Sequence, residues 1–244
     1  MIKLDMAEKL WETLESILID NSRGFISVNG GGGKTTWLVS FSAYLKNKGY
    51  SVLITTSTKL ASPYSFNYNT DRVFLSPKII SYWPRRGESV FYGEYDEVLG
   101  KTIAPPESIV SLLYERYDVV IVEADGSRRL PLKIHTERDP VIWSPTSSVV
   151  SISGLWAYGK RVEESVFGEE RKGLYVDKSY FDYLTSTPQG MMKGMRKDTK
   201  NVFLFNGGDV VGEEVIEEIK SIKLPLRAKG FIVSLNEDKI YESL

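Results

Sequence analysis

The chain has 244 residues, 42% of them hydrophobic and 26% charged, which suits one or two globular domains and excludes an apolar-poor disordered chain. Lys and Arg total 31 against 32 for Asp and Glu, so no global charge draws the chain to nucleic acid or to an anionic membrane surface. There is no cysteine and one histidine, His135. Disulfides, thiolate chemistry and multi-histidine metal sites are excluded, and carboxylates, lysines, arginines, hydroxyls and backbone amides must carry any chemistry.

Residues 5–20 read as an amphipathic helix, with Leu10, Leu14, Ile17 and Leu18 at helical spacing and Glu8, Glu12 and Glu15 on other faces. Those acidic residues argue against a leader peptide, and no run of about 18 apolar residues predicts a membrane span. A cytoplasmic protein is the expectation. A short strand follows at 25–28, then four glycines, then a largely apolar helix from Lys34 to about Leu45. A second strand at 51–55 ends in Thr55-Thr56-Ser57-Thr58-Lys59. Residues 60–105 are mixed, with short strands near 73–75 and 89–92. A helix is expected over 106–116, with Pro near its first turn. Residues 119–122 form an unbroken apolar run of the kind found in a parallel sheet covered on both faces, and 149–152 and 202–205 repeat it. A helix over 212–222 and a strand over 231–234 complete the chain. Strands alternating with helices predict a single α/β domain over 1–244, in three layers, with a mostly parallel central sheet. Residues 155–200, rich in charge and glycine, read as a flexible or helical insertion in which Met191, Met192 and Met195 fill gaps.

The sharpest local signal is Gly30-Gly31-Gly32-Gly33-Lys34-Thr35-Thr36. Glycine is unfavourable in regular structure by about 0.5–1 kcal/mol relative to Ala, and four between an apolar strand and an apolar helix predict a phosphate-binding loop. Successive backbone amides and the helix start would cradle the phosphates, Lys34 would reach the β- and γ-phosphates, and Thr35 would place its hydroxyl on Mg²⁺. The spacing is G-x-x-G-K-T, the shorter form found in nucleotide-dependent ligases of the Mur type. The second half of such a site is a carboxylate at the end of a neighbouring buried strand, and Glu123-Ala124-Asp125-Gly126 supplies it after 119–122. Glu123 and Asp125 are expected at the metal ion or its water, and the Gly126 amide at a γ-phosphate. The Glu123-to-Gly126 spacing also resembles that of metal-chaperone GTPases. Lys59 is a candidate for neutralising phosphate charge, Arg128 and Arg129 are candidate clamps, and His135 reads as structural. Asn206 and Asp209, after the strand at 202–205, keep the spacing of a guanine-reading turn, although Gly207 stands where such turns carry lysine.

Taken in order, GGGGKTT, TTSTK, VVIVEADGSRRLPLK, DPVIW and the N-x-x-D turn resemble the YqeC-like proteins over roughly residues 8–235. The block from Glu123 to Lys133 is the most specific part of the resemblance. The resemblance implies a P-loop nucleotide-binding protein that serves the maturation of a selenium-dependent molybdenum hydroxylase, through its apoprotein or a protein of cofactor biosynthesis. The leading expectation is therefore Mg²⁺-dependent binding and hydrolysis of ATP or GTP, without nucleic acid or membrane partners. A Mur-like ligase or kinase-type transferase and a non-hydrolysing nucleotide-sensing scaffold are the alternatives, and all three use the same pocket.

Overall fold

The computed structural model describes residues 9–244. In chain order its elements are α1 (Leu10–Leu18), β1 (Gly24–Gly30), α2 (Lys34–Asn47), β2 (Val52–Thr56), β3 (Lys59–Ala61), β4 (Arg72–Phe74), β5 (Ser89–Tyr92), β6 (Glu94–Asp96), β7 (Lys101–Ile103), α3 (Glu107–Tyr114), β8 (Val119–Glu123), β9 (Leu132–Lys133), β10 (Ser148–Gly154), α4 (Val162–Ser165), β11 (Val166–Phe167), α5 (Lys178–Ser186), β12 (Lys200–Asn206), α6 (Glu213–Lys220), β13 (Ala228–Ser234) and β14 (Lys239–Ser243). The expected first helix begins at Leu10, and its residues 5–8 lie outside the described residues.

Nine strands form one sheet in the order β14-β13-β12-β10-β1-β8-β2-β5-β4. Neighbours are parallel except β13 and β14. The apolar runs found in the sequence occupy its centre because both faces are covered there. Alternate side chains of one strand then enter different cores: Val119 and Ile121 of β8 face one layer, Val120 and Val122 the other. α1 and α2 form the first layer, where Trp11, Trp37 and Phe41 pack ring against ring at 5.9 and 4.9 Å. The second layer holds α3 over β8 and β5, and α5 and α6 over β12 and β13. This is the three-layer α/β arrangement of a P-loop fold.

Residues 155–200 are bound into that second layer. Val162, Val166, Tyr180, Phe181, Leu184 and Met191 join Phe203 and Phe205 of β12 in one core, and β11 pairs with β9. Two features lie beyond the sequence reading. β14 closes one edge antiparallel to β13, and β3, β7 and β6 form a small antiparallel sheet next to the end of β2. No helix among the described residues is long and apolar enough to cross a membrane.

Candidate functional site

β1 and β8 are adjacent and parallel, with Val28 opposite Glu123, so the glycine segment and the acidic segment leave the sheet side by side. The glycines are sterically required. Gly30 has φ +97°, and a Cβ there would stand 2.3 Å from the Ile152 carbonyl oxygen. Gly32 has φ +69°, and a Cβ there would stand 2.2 Å from the Gly154 amide nitrogen. Any other residue would push the loop off the end of β10.

The loop's amides divide into two sets. The Gly30 amide donates to Asp125 Oδ2 at 3.0 Å and the Gly31 amide to the Ile152 carbonyl at 2.9 Å, so both point into the protein. The amides of Gly33, Lys34, Thr35 and Thr36 have no hydrogen-bond acceptor among the described residues. They are the first-turn donors that an α-helix cannot satisfy internally, and they carry the positive end of the α2 dipole. Gly32, Gly33, Lys34, Thr35 and Thr36 line a cleft of about 670 Å³, together with Glu123, Gly126, Lys59, Asn206, Arg128 and Arg129. A Cβ on Gly126 would meet nothing within 4 Å, so its backbone is open to the cleft.

Beneath this surface lies a knot of buried charge. Asp125 is fully buried, with its carboxylate 3.1 Å from Lys34 Nζ, 3.0 Å from Lys133 Nζ and 2.8 Å from His135 Nε2. Burial alone would raise its pKa, but Lys34, His135 and Lys133 outweigh that and hold it well below the usual carboxylate range. Lys133 also binds Asp139 and donates to the Gly126 carbonyl at 2.6 Å. His135 Nδ1 faces the carbonyls of Gln189 and Gly190 at 3.1 Å each. Both ring nitrogens therefore face oxygen atoms of their neighbours. The sequence reading expected Asp125 at the metal ion; the structure places its carboxylate behind the loop, where it fixes Lys34 and the Gly30 amide. Lys133 was visible only as part of the motif block, and His135 carried no local signal.

Glu123 is the carboxylate that reaches the cleft. The Thr35 hydroxyl donates to its Oε2 at 3.3 Å. Its backbone carbonyl accepts from Thr56 Oγ1 at 3.0 Å and the Ser57 amide at 3.1 Å, which anchors it to the end of β2. Burial pushes its pKa up to about 7; Lys34 opposes this, Asp125 adds to it and the Thr35 hydrogen bond opposes it. Asn206 also lines the cleft, but its amide is committed. Nδ2 donates to the Gly32 carbonyl at 2.9 Å and Oδ1 accepts the Leu235 amide at 3.1 Å, tying the glycine loop to the end of β13. Asp209 is not among the residues lining the cleft. Trp156 and Asn236, which do line it on the same side as Asn206, gave no signal in the sequence.

The YqeC protein family matches this chain over residues 26–170, which contains the glycine loop, Glu123, Asp125, Lys133 and His135. The uncharacterized protein YqeC of Escherichia coli K12 is 31% identical over 194 residues, covering 74% of this chain and 75% of that protein. No solved structure matches the chain. On both counts, and with the charge knot and the glycine loop inside the matched region, the chain belongs to the YqeC family.

Proposed function

We propose that this protein binds a Mg²⁺–nucleoside triphosphate, ATP or GTP, through residues 30–36 and hydrolyses it, acting as an accessory factor in the maturation of a selenium-dependent molybdenum hydroxylase or its cofactor. The observation that carries the reading is the set of four unpaired amides at Gly33–Thr36, beside Lys34 and facing Glu123 across one cleft. The cleft lies at the carboxyl ends of parallel strands, where α/β sheets place their ligands.

The residues present fit Mg²⁺. The Thr35 hydroxyl and the Glu123 carboxylate are hard oxygen donors 3.3 Å apart on the cleft wall, and Mg²⁺ characteristically takes one or two such groups and completes its shell with water and phosphate oxygens. The ion would supply charge neutralisation on the phosphates.

The chain's own residues then act by position and charge, which is most of what phosphoryl transfer asks of a protein. The amides of Gly33–Thr36 and the Lys34 ammonium hold the phosphates. Asp125 acts through Lys34, keeping its ammonium over the loop. Glu123 Oε stands on the cleft wall, where it would hold the ion or orient a water of its shell. Incubation with Mg²⁺ and ATP or GTP tests the reading. Nucleoside diphosphate and phosphate in equal amounts are expected, and Glu123→Gln should lower the rate while leaving binding in place. A phosphorylated small molecule among the products would move the assignment to a transferase. Firm binding without turnover, even with the partner apoprotein present, would move it to a nucleotide-sensing scaffold.

A further inference from the structure

We propose that the far wall of the same cleft, formed by Lys59, Lys101 and Phe66, is a separate subsite for a second small molecule: an anion carrying a flat ring. The proposal takes its place beside the terminal phosphate from the nucleotide reading, but the subsite itself is argued from its own residues.

Strand order sets the two ends of the cleft apart. Trp156, Asn206 and Asn236 follow β10, β12 and β13, on one side of β1, whereas Lys59, Phe66 and Tyr68 follow β2, on the other side and beyond β8. Strands in a sheet are spaced by roughly 4.8 Å, so a nucleotide anchored on the loop after β1 with its base towards Trp156 would leave the Lys59 end open. The loop side already supplies its own phosphate donors in the four amides and Lys34.

The far wall lines the cleft with two lysines on a rigid support. The pairing of Lys59 with Ile103 and of Ala61 with Lys101 sets both lysines on one face of the small sheet as a diagonal pair, roughly 7–8 Å apart. Among the described residues neither has a carboxylate within 4 Å. Two carboxylates share this sheet face from β6, Asp96 directly opposite Lys101 and Glu94 opposite Ile103, but neither lines the cleft, and Asp96 Oδ1 accepts the Val98 and Leu99 amides at 3.0 Å each. Phe66 presents a partly exposed ring beside them, held edge-on against Tyr68 at 4.8 Å, and Tyr68 stacks on buried Phe91 at 4.5 Å. The Tyr68 hydroxyl donates to the Ala61 carbonyl at 2.7 Å, which locks the aromatic pair to the strand that carries Lys59. Two cations and a buttressed ring fit an aryl or heterocyclic acid.

The experiment is a calorimetric titration of phenyl phosphate into the full chain, once free and once saturated with a non-hydrolysable Mg²⁺–triphosphate. The expected result is binding in both, with affinities within about threefold of each other. The double variant Lys59→Gln/Lys101→Gln should weaken phenyl phosphate by roughly tenfold, with its melting midpoint unchanged because both side chains are exposed. Displacement of phenyl phosphate by the triphosphate would overturn the subsite and assign the far wall to the nucleotide, leaving the nucleotide reading intact. Unchanged phenyl phosphate affinity in the double variant would also overturn it. If the triphosphate itself fails to bind, the nucleotide reading fails, while the free-protein titration and the double variant still decide the subsite.

Discussion

The two ends of the central sheet both carry buried or half-buried charge, but they use it differently. At the amino ends of the strands, Glu15, Asp118, Lys48, Arg85 and Arg86 border a second hollow of about 550 Å³. The carboxylates there are satisfied by neutral donors. Glu15 accepts the Tyr44 and Tyr50 hydroxyls, and Asp118 accepts the Ser51 amide and hydroxyl at 2.7 and 2.8 Å. These bonds stitch α1, α2 and the starts of β2 and β8 together. At the carboxyl ends, Asp125 is held by Lys34, Lys133 and His135, and Lys34 lies beside amides that have no acceptor among the described residues. The first arrangement closes on itself; the second leaves the unpaired amides at the start of α2, the positive end of its dipole, directed at a cleft. That contrast is the ground for proposing the site at the carboxyl end.

The sharpest way to break the comparison is to neutralise one carboxylate at each end. Asp125→Asn leaves Lys34 buried without its counter-charge and Lys133 with Asp139 alone, at a cost of about 3–5 kcal/mol, or a fall of roughly 6–20 °C in melting midpoint for a chain of this size. Asp118→Asn keeps the shape and loses only hydrogen bonds to Ser51, at a cost of about 1–2 kcal/mol. Denaturant unfolding of both variants measures the difference, and equal losses would erase the distinction drawn here.

The next effect is pH dependence in the nucleotide-free protein. The folded pKa of Glu123 is raised to about 7, above its ordinary 4.5. Its stability contribution is therefore fully present below about pH 4.5 and is lost as pH rises towards 7, a change on the order of 2–3 kcal/mol. Asp125 has the opposite sign. Its depressed pKa gives stability that is present above its ordinary value and lost as pH falls through the acid range. The unfolding free energy of Glu123→Gln minus that of the wild type should thus rise between pH 4.5 and 7, and a flat difference would contradict the buried placement of Glu123. The smallest effect belongs to the amino end: Tyr50→Phe removes one hydroxyl at 2.8 Å from Glu15 and should cost about 0.5–1.5 kcal/mol, with nucleotide affinity unchanged in the same titration used for the wild type.

Local patterns were legible and distant pairings were not. The glycine loop and the apolar strand ending at Glu123 announce themselves, because steric need and burial on both faces act on consecutive residues. The small sheet does not, since β3 and β7 are three residues each and meet across about forty residues of chain. Asn206 shows a subtler limit. Its spacing to Asp209 suggested base reading, yet its amide ties Gly32 to Leu235, a role set by tertiary position alone. Lys133 and His135 likewise acquire their meaning only where they converge on Asp125.

The central claim is that residues 30–36 hold a triphosphate, and calorimetric titration of a non-hydrolysable Mg²⁺–triphosphate into the wild type and Lys34→Ala tests it most directly. Asp125 keeps Lys133 and His135 in the variant, so it should remain folded. The account predicts saturable binding by the wild type and a loss of about a hundredfold or more, roughly 2.7 kcal/mol, in Lys34→Ala. Equal affinity in the two folded proteins, or no binding by the wild type, would contradict it.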